Sequence, residues 1–177
     1  MELTPAMREF VLHWGEMGSR WGVNRTIAQI HALLYLSTEP LTADDIADTL
    51  GVARSNVSMS LRELENWDLA QVTHELGDRR DRFVTQHDVW EIFMVITQQR
   101  IEREIVPTVN MLKRCADKAH ADGATDPKVA SRLKDMHSFL DNLNDWYVEM
   151  KELPRGTLMT LLKIRASVRK RLQSKSR

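Results

Sequence analysis

The chain has 177 residues, of which 42% are hydrophobic and 28% charged, a balance typical of folded globular proteins. Acidic and basic residues number 25 each, so the chain lacks the net basic excess that usually marks a nucleic-acid partner. The single cysteine, Cys115, excludes an intramolecular disulfide and favours a reducing compartment. The first residues lack the layout of a signal peptide, and no apolar run reaches the roughly 20 residues that span a bilayer. We therefore expect a cytoplasmic protein.

Four helices are predicted in the first third of the chain, because apolar residues recur there at three- and four-residue spacing. Thr4 followed by Pro5 is a typical helix start. Thr42 and Asp45 have the spacing of a capping box, and Gly51 is a typical C-terminal stop. The predicted ranges are about 5–22, 24–37, 42–51 and 54–67.

The periodicity changes from helical to alternating after Trp67. Residues 70–75 and 82–85 alternate apolar and polar side chains as strands do, and the polar residues 76–81 are typical of a turn. The pattern predicts a β-hairpin directly after two helices that are joined by a tight turn. Elements in this order are typical of a winged helix-turn-helix.

The remainder of the chain is predicted to be helical. Asp88 caps a long run of apolar periodicity, and Pro107 inside that run must either kink it or split it into two helices. A further helix covers about 127–152, and a last one runs over about 158–172. The predicted fold class is therefore mainly α, with one small β-hairpin.

The second helix of the predicted pair, 54–67, has the width that fits the major groove of DNA. Its inner face is predicted to carry Val57, Leu61 and Leu64. The residues that then face outward are Arg54, Ser55, Asn56, Ser58, Met59 and Arg62. Asn56 suits a paired contact with adenine, and Arg54 or Arg62 suits guanine or phosphate.

The predicted hairpin tip is basic, although the chain as a whole is neutral. Arg79, Arg80 and Arg82 fall within four positions. A basic tip beside a recognition helix suits an adjacent phosphate or the minor groove. The arginines therefore lie where double-stranded DNA would require them, which predicts a DNA-binding protein. The alternative is a winged helix that binds another protein.

The stretch from Gly22 to Phe93 resembles the MarR-type winged-helix regulators, and within them the GbsR-like branch. The resemblance is carried by Gly22-Val-Asn-Arg25, Ile30-His-Ala-Leu-Leu34, Pro40-Leu-Thr42, Ile46-Ala47, Leu50-Gly-Val52, Asn56-Val-Ser-Met-Ser-Leu-Arg-Glu-Leu64 and Gly77-Asp-Arg-Arg-Asp-Arg82. It implies a homodimeric transcriptional regulator, often a repressor, that binds a near-palindromic operator and is released by a small ligand. The winged helix covers about residues 24–87, and the resemblance implies that residues 1–23 and 88–177 supply dimerisation helices and a candidate effector region.

Two positions depart from the family pattern. Ala53 stands where such regulators often have a serine that caps the recognition helix, so that cap and a phosphate contact are absent. Asp68 stands where a glycine often turns the chain, and aspartate tolerates the left-handed conformation of such a turn. Both departures leave the detailed operator contacts open.

Five tryptophans are many for a chain of this length. Trp14, Trp21, Trp90, Trp146 and Tyr147 fall in the region that the resemblance assigns to dimerisation. Aromatic cages bind quaternary ammonium ions, and the GbsR-like branch is linked to choline and betaine metabolism, so these residues form a candidate effector pocket for such a cation. The alternative is packing in the core or at an interface, as is common for tryptophans at helical spacing.

The remaining reactive residues give weaker signals. Cys115 has basic neighbours that suit a redox-active thiolate, and the alternative is a buried, inert side chain. The six histidines show no metal-ligand spacing, and no nucleophile–base pair, phosphate loop or paired carboxylates indicate an enzyme. We therefore expect neither a metal nor a cofactor. The basic run between 163 and 177 either adds non-specific DNA affinity or complements the end of a helix.

Overall fold

The computed structural model describes residues 1–158 and residue 160, and the chain divides into two compact units, Met1–Gln99 and the residues from Arg100 onward. The elements up to this boundary are α1 (Pro5–Arg20), α2 (Arg25–Leu36), β1 (Leu41–Thr42), α3 (Ala43–Leu50), α4 (Arg54–Asn66), β2 (Gln71–Thr73), β3 (Arg82–Val84) and α5 (Val89–Arg100). The second unit has a π-helical segment (Ile101–Ile105), α6 (Val106–Ala121) and α7 (Pro127–Glu152). The predicted fold class, mainly α with a small hairpin, is confirmed. The predicted last helix and the basic run from 163 to 177 lie outside the described residues, except at the very start of the helix.

Local side-chain caps fix the helix boundaries that the sequence predicts. The Asn24 side chain accepts a hydrogen bond from the Thr26 N–H at 2.8 Å, which starts α2. Thr42 and Asp45 form the predicted capping box of α3, in which each side chain accepts from the other residue's backbone N–H. Gly51 ends α3 at a φ of 66°, a left-handed conformation that favours glycine. These capping signals depend only on neighbouring residues, so they can be predicted from the sequence.

A three-stranded antiparallel sheet has the order β1–β3–β2. β2 and β3 form the predicted hairpin, in which Val72 lies opposite Phe83 and Thr73 opposite Arg82. Strand β1 was not predicted from the sequence, because a strand of two residues is too short to show alternation. β1 pairs Leu41 with Phe83, which joins the hairpin to the segment between α2 and α3.

The core of the first unit lies among α2, α3, α4 and the sheet. Val57, Leu61 and Leu64 of α4 are buried, as their spacing predicts. They share this core with Ile30 of α2 and Ile46 of α3. Each large aliphatic side chain buried in this way stabilises the fold by about 1.5–3 kcal/mol. The apolar face therefore fixes the rotation of α4 about its own axis and turns its opposite face to solvent.

α1 packs closely against α2 within the first unit. A Cβ on Gly18 would lie 2.5 Å from the Cβ of Ala28, so any side chain at position 18 would push the two helices apart. One turn earlier the Trp14 ring lies 5.5 Å from the Phe10 ring and 6.4 Å from the His31 ring, measured between centroids. The N-terminal helix therefore belongs to the same compact unit as the winged helix.

In the second unit, the interruption expected at Pro107 takes the form of a π-helical segment. Ile101–Ile105 is π-helical, and α6 begins at Val106 with Pro107 in its first turn. Proline has no backbone N–H, and its ring clashes with the carbonyl four residues earlier, so regular α-helical bonding is interrupted just before it. The predicted long run is thus split into two α-helices. No described helix is long and apolar enough to cross a membrane.

His31 is a polar side chain inside the first unit. It is 4% exposed, and its Nε2 atom has no hydrogen-bond partner among the described residues. Burial lowers the pKa of the imidazole from 6.5 to about 4, because the charged form would lose its hydration. The folded chain therefore keeps His31 neutral at pH values at which the unfolded chain protonates it.

We expect this difference to make stability depend on pH. Between pH 6.5 and about 4 the unfolded state binds a proton at His31 that the folded state does not, so the free energy of unfolding should fall as the pH falls. The loss should approach about 3 kcal/mol at the acidic end of the window. His31→Gln, which cannot titrate, should flatten the curve obtained by urea unfolding at a series of pH values. His13→Gln, at an exposed position on α1, is the control, and an unchanged slope in His31→Gln would contradict the expectation.

Candidate nucleic-acid interface

The outward face of α4, which comprises Arg54, Ser55, Asn56, Ser58, Met59 and Arg62, lies at the surface. All six side chains are exposed except Ser58, which is half-buried. The face follows from the packing of the opposite side of the helix, because residues one helical turn apart share a direction. Asn56 and Arg62 make no side-chain hydrogen bond or ion pair with any other described residue. Their donors and acceptors are therefore available to a partner molecule.

The first residue of α4 makes an ion pair, and the helix has no side-chain cap. Ala53 makes no side-chain capping hydrogen bond, as the sequence predicts for this departure from the family pattern. Arg54 donates from Nε to Asp44 Oδ1 of α3 at 2.6 Å, and its Nη1 donates to the Ser58 hydroxyl. Arg54 is thus oriented before any partner binds. Asp44 was not identified in the sequence, since no local signal connects residues ten positions apart on different helices.

Asp78 organises the tip of the wing. We define the wing as residues 71–84, which comprise β2, β3 and the turn between them. Its carboxylate accepts from the Arg80 backbone N–H at 3.1 Å and from the Arg80 guanidinium at 2.7–3.1 Å. These bonds, with a contribution from Arg82, hold the pKa of the Asp78 carboxyl well below its usual range. The pKa of the Arg80 guanidinium is raised, chiefly by Asp78 and to a smaller degree by the charges of Asp45 and Asp44. The Asp-x-Arg spacing at a turn is the signal that could have identified Asp78 from the sequence.

Arg82 is bound within the wing and to the segment that precedes β1. It pairs with Glu75 at 2.9 Å and with Asp78 at 3.2 Å, and it donates to the Pro40 carbonyl at 3.4 Å. Its side chain is 23% exposed, whereas Arg79 is fully at the surface and contacts no described side chain by hydrogen bond or ion pair. Of the three wing-tip arginines predicted to contact DNA, Arg79 is therefore the one whose guanidinium has no partner among the described residues. The DNA contacts assigned to Arg80 and Arg82 stay predictions.

The five aromatic residues of the candidate effector pocket have different surroundings. In the first unit Trp14 contacts Phe10 and His31, Trp90 contacts Phe93 with ring centroids 5.8 Å apart, and Trp21 is exposed beyond the end of α1. In the second unit Trp146 is 57% exposed, while its neighbour Tyr147 is partly buried. The pKa of the Tyr147 hydroxyl is raised by burial and by the charge of Glu102. The cage for a quaternary ammonium ion stays a prediction.

Cys115 is neither fully buried nor freely exposed on α6. Its Sγ lies 3.6 Å from the Sδ of Met111, one helical turn earlier. Among the described residues no group of three or more His, Cys, Asp or Glu side chains could hold a metal ion.

A helix–turn–helix followed by a small antiparallel sheet places the first unit in the winged-helix class of proteins. Residues 21–81 match the model of the MarR family. The match covers α2, α3, α4 and the hairpin tip, which are the elements that carry the candidate interface described above.

Two curated proteins of Bacillus subtilis (strain 168) are similar to most of the chain. The HTH-type transcriptional repressor OpcR is 19% identical over 130 residues, which are 71% of this chain and 68% of that protein. The HTH-type transcriptional repressor GbsR is 21% identical over 136 residues, which are 75% of each chain. The predicted resemblance to the GbsR-like branch is therefore confirmed. A crystal structure described as that of a transcriptional regulator has a TM-score of 0.64 at 20% identity and covers 82% of this chain and 95% of its own, which shows a shared fold.

Asp78→Asn should loosen the wing tip, because a neutral amide cannot replace a carboxylate that accepts from two arginines. We expect the Arg80 amide hydrogen, which donates to Asp78, to exchange with solvent several-fold faster in NMR measurements. Asp81→Asn removes the same charge from an exposed position of the same tip and is the matched control. Equal exchange rates in the two variants would show that Asp78 does not order the tip.

Proposed function

We propose that the chain is a cytoplasmic, dimeric transcriptional regulator, acting as a repressor, that binds near-palindromic double-stranded DNA. The observation that carries this proposal is the outward face of α4, where Asn56 and Arg62 are exposed without side-chain partners among the described residues, in the part of the chain that matches the MarR family model. The relatives OpcR and GbsR are both named transcriptional repressors, which supports repression as the mode of regulation.

The proposed contacts follow from the shapes of helix and groove. α4 enters the major groove, where Asn56 has the paired donor and acceptor that match adenine and Arg62 reaches guanine or phosphate. Arg79 at the wing tip contacts the neighbouring phosphate backbone or the minor groove. A bound dimer blocks access to a promoter that overlaps its site.

The zero net charge of the chain agrees with this interface, because the local distribution of charge decides contact with DNA. Asp44 pairs with Arg54, and Asp78 pairs with Arg80 and Arg82, so much of the basic charge near the interface is balanced within the protein. Arg62 and Arg79 have no ion-pair partner in the part of the chain that the structure describes. We therefore expect a modest electrostatic affinity for DNA and a correspondingly larger share of recognition from the α4 side chains.

Arg79→Ala should weaken binding to any duplex by a similar factor and leave the fold intact. A lost phosphate contact lowers the slope of log affinity against log salt by about one per protomer. The measurement is fluorescence anisotropy with a duplex from the region upstream of the coding sequence, over a series of salt concentrations. Arg114→Ala, which removes an exposed arginine from α6, is the control and should change neither affinity nor slope. Should Arg79→Ala bind with unaltered salt dependence, the wing tip would not contact phosphate.

A stripe of exposed apolar side chains on α7 supports a dimer. The stripe consists of Val129, Met136, Phe139, Leu143 and Trp146. After Val129 the spacing is seven, three, four and three residues, which is the a/d pattern of a coiled-coil seam. No residue of α7 is fully buried within the chain. A second copy that presents the same stripe would cover these side chains and would match the two-fold symmetry of a palindromic site.

Phe139→Glu should convert the dimer to a monomer, because a charge would then lie at the centre of the paired stripes. Phe139 is 68% exposed within one chain, so the substitution should leave the folded protomer intact. Sedimentation equilibrium measures the mass, and Ser138→Glu, on the polar side of α7, is the matched control that should stay dimeric. If Phe139→Glu sediments as a dimer, the α7 stripe is not the interface.

A further inference from the structure

The ion pair between Asp44 and Arg54 joins the first helix of the helix–turn–helix to the first residue of the recognition helix. The Nε–Oδ1 distance is 2.6 Å, and the two side chains remain 51% (Arg54) and 64% (Asp44) exposed. An ion pair at such exposure contributes little to the stability of a fold. Its main effect is on orientation, because the ion pair holds the long and flexible side chain of Arg54 in one conformation at the outward face of α4.

The contacts leave three of the five N–H donors of the Arg54 guanidinium open. A guanidinium has five N–H donors, of which Nε supplies one and each Nη supplies two. Asp44 takes the Nε donor, and Ser58 takes one donor of Nη1. The remaining Nη1 donor and both Nη2 donors are unoccupied by described residues. One donor of Nη1 and one donor of Nη2 together form the end-on edge of a guanidinium. The two parallel donors of this edge match the O6 and N7 acceptors of guanine in the major groove.

We propose that Asp44 is a positioning residue that orients Arg54 for paired recognition of guanine in the major groove. This inference rests on the proposed function, since it assigns a base preference to the same α4 surface. Asp44 acts through Arg54 and needs no contact with DNA of its own. Holding Arg54 in advance reduces the side-chain freedom that is lost on binding and favours the end-on approach to a base over a phosphate contact.

The zero net charge of the Asp44–Arg54 pair distinguishes a positioning role from simple electrostatic attraction to DNA. Asp44 and Arg54 together carry no net charge, so the pair adds discrimination between bases and little salt-dependent affinity. Loss of the Asp44 carboxylate would release an arginine that can then turn to a phosphate. Non-specific binding should therefore rise while the preference for guanine falls, whereas a merely structural defect would lower both.

The test begins with selection of duplexes from a randomised pool by the unaltered chain and by Arg54→Ala. A position at which the unaltered chain selects guanine and Arg54→Ala does not is the contact of Arg54. Two duplexes that differ only by guanine or adenine at this position are then compared by fluorescence anisotropy. The unaltered chain should prefer guanine by about tenfold or more, and Asp44→Asn by less than about threefold.

Three further variants make the result specific to the pair. Asp48→Asn removes an equivalent charge from an exposed position one turn along α3, and it should keep the full preference for guanine. Asp44→Asn in the Arg54→Ala background should cause no further loss, because Asp44 is inferred to act only through Arg54. This double variant also separates the effect on Arg54 from the weaker influence of Asp44 on Arg80. Asp44→Glu, which keeps the carboxylate, should restore part of the preference.

Two results would overturn this inference and leave the proposed function standing. In the first, Asp44→Asn keeps the full preference for guanine. In the second, the unaltered chain selects a site in which no guanine depends on Arg54. Failure of the unaltered chain to select any sequence would overturn the proposed function and this inference with it.

Discussion

The buried face of α4 is the contact on which the rest of the interface depends. Val57, Leu61 and Leu64 lie one helical turn apart and pack into the core with α2 and α3, which fixes the rotation of the helix. Because α4 cannot turn about its axis, Asn56 and Arg62 must face solvent on the opposite side. The same core positions the sheet through Phe83, so the wing and α4 are held in one compact unit.

Carboxylates decide how the basic residues of this surface are used. Asp78 binds Arg80 and Arg82 in the wing, and Asp44 binds Arg54 at the start of α4. A chain with no net charge can still have a basic surface for DNA. This requires that the acidic residues pair with some of its arginines and leave other arginines without an ion-pair partner. Under the proposed function, such a surface would gain little from non-specific attraction, and recognition would depend on base contacts and on two copies binding together.

Features that depend on neighbouring residues were predictable from the sequence, and features that depend on distant ones were not. The capping box of Thr42 and Asp45 and the outward face of α4 follow from local spacing. Strand β1 has two residues and is defined only by its pairing with β3. The contact of Arg82 with the Pro40 carbonyl spans 42 positions, so the sequence indicated Arg82 as a DNA contact without revealing this partner inside the protein. Pro107 marked an interruption, but its π-helical form was not encoded in the apolar pattern.

In the proposed function, the outward face of α4 and the wing tip together contact DNA. We would follow the chemical shifts of the backbone amides on addition of a duplex from the region upstream of the coding sequence. We expect the largest changes between residues 54 and 62 and between residues 77 and 80, and we expect them to be smaller at high salt. Changes confined to α6 and α7, or none in these two segments at saturating duplex, would contradict this proposed contact.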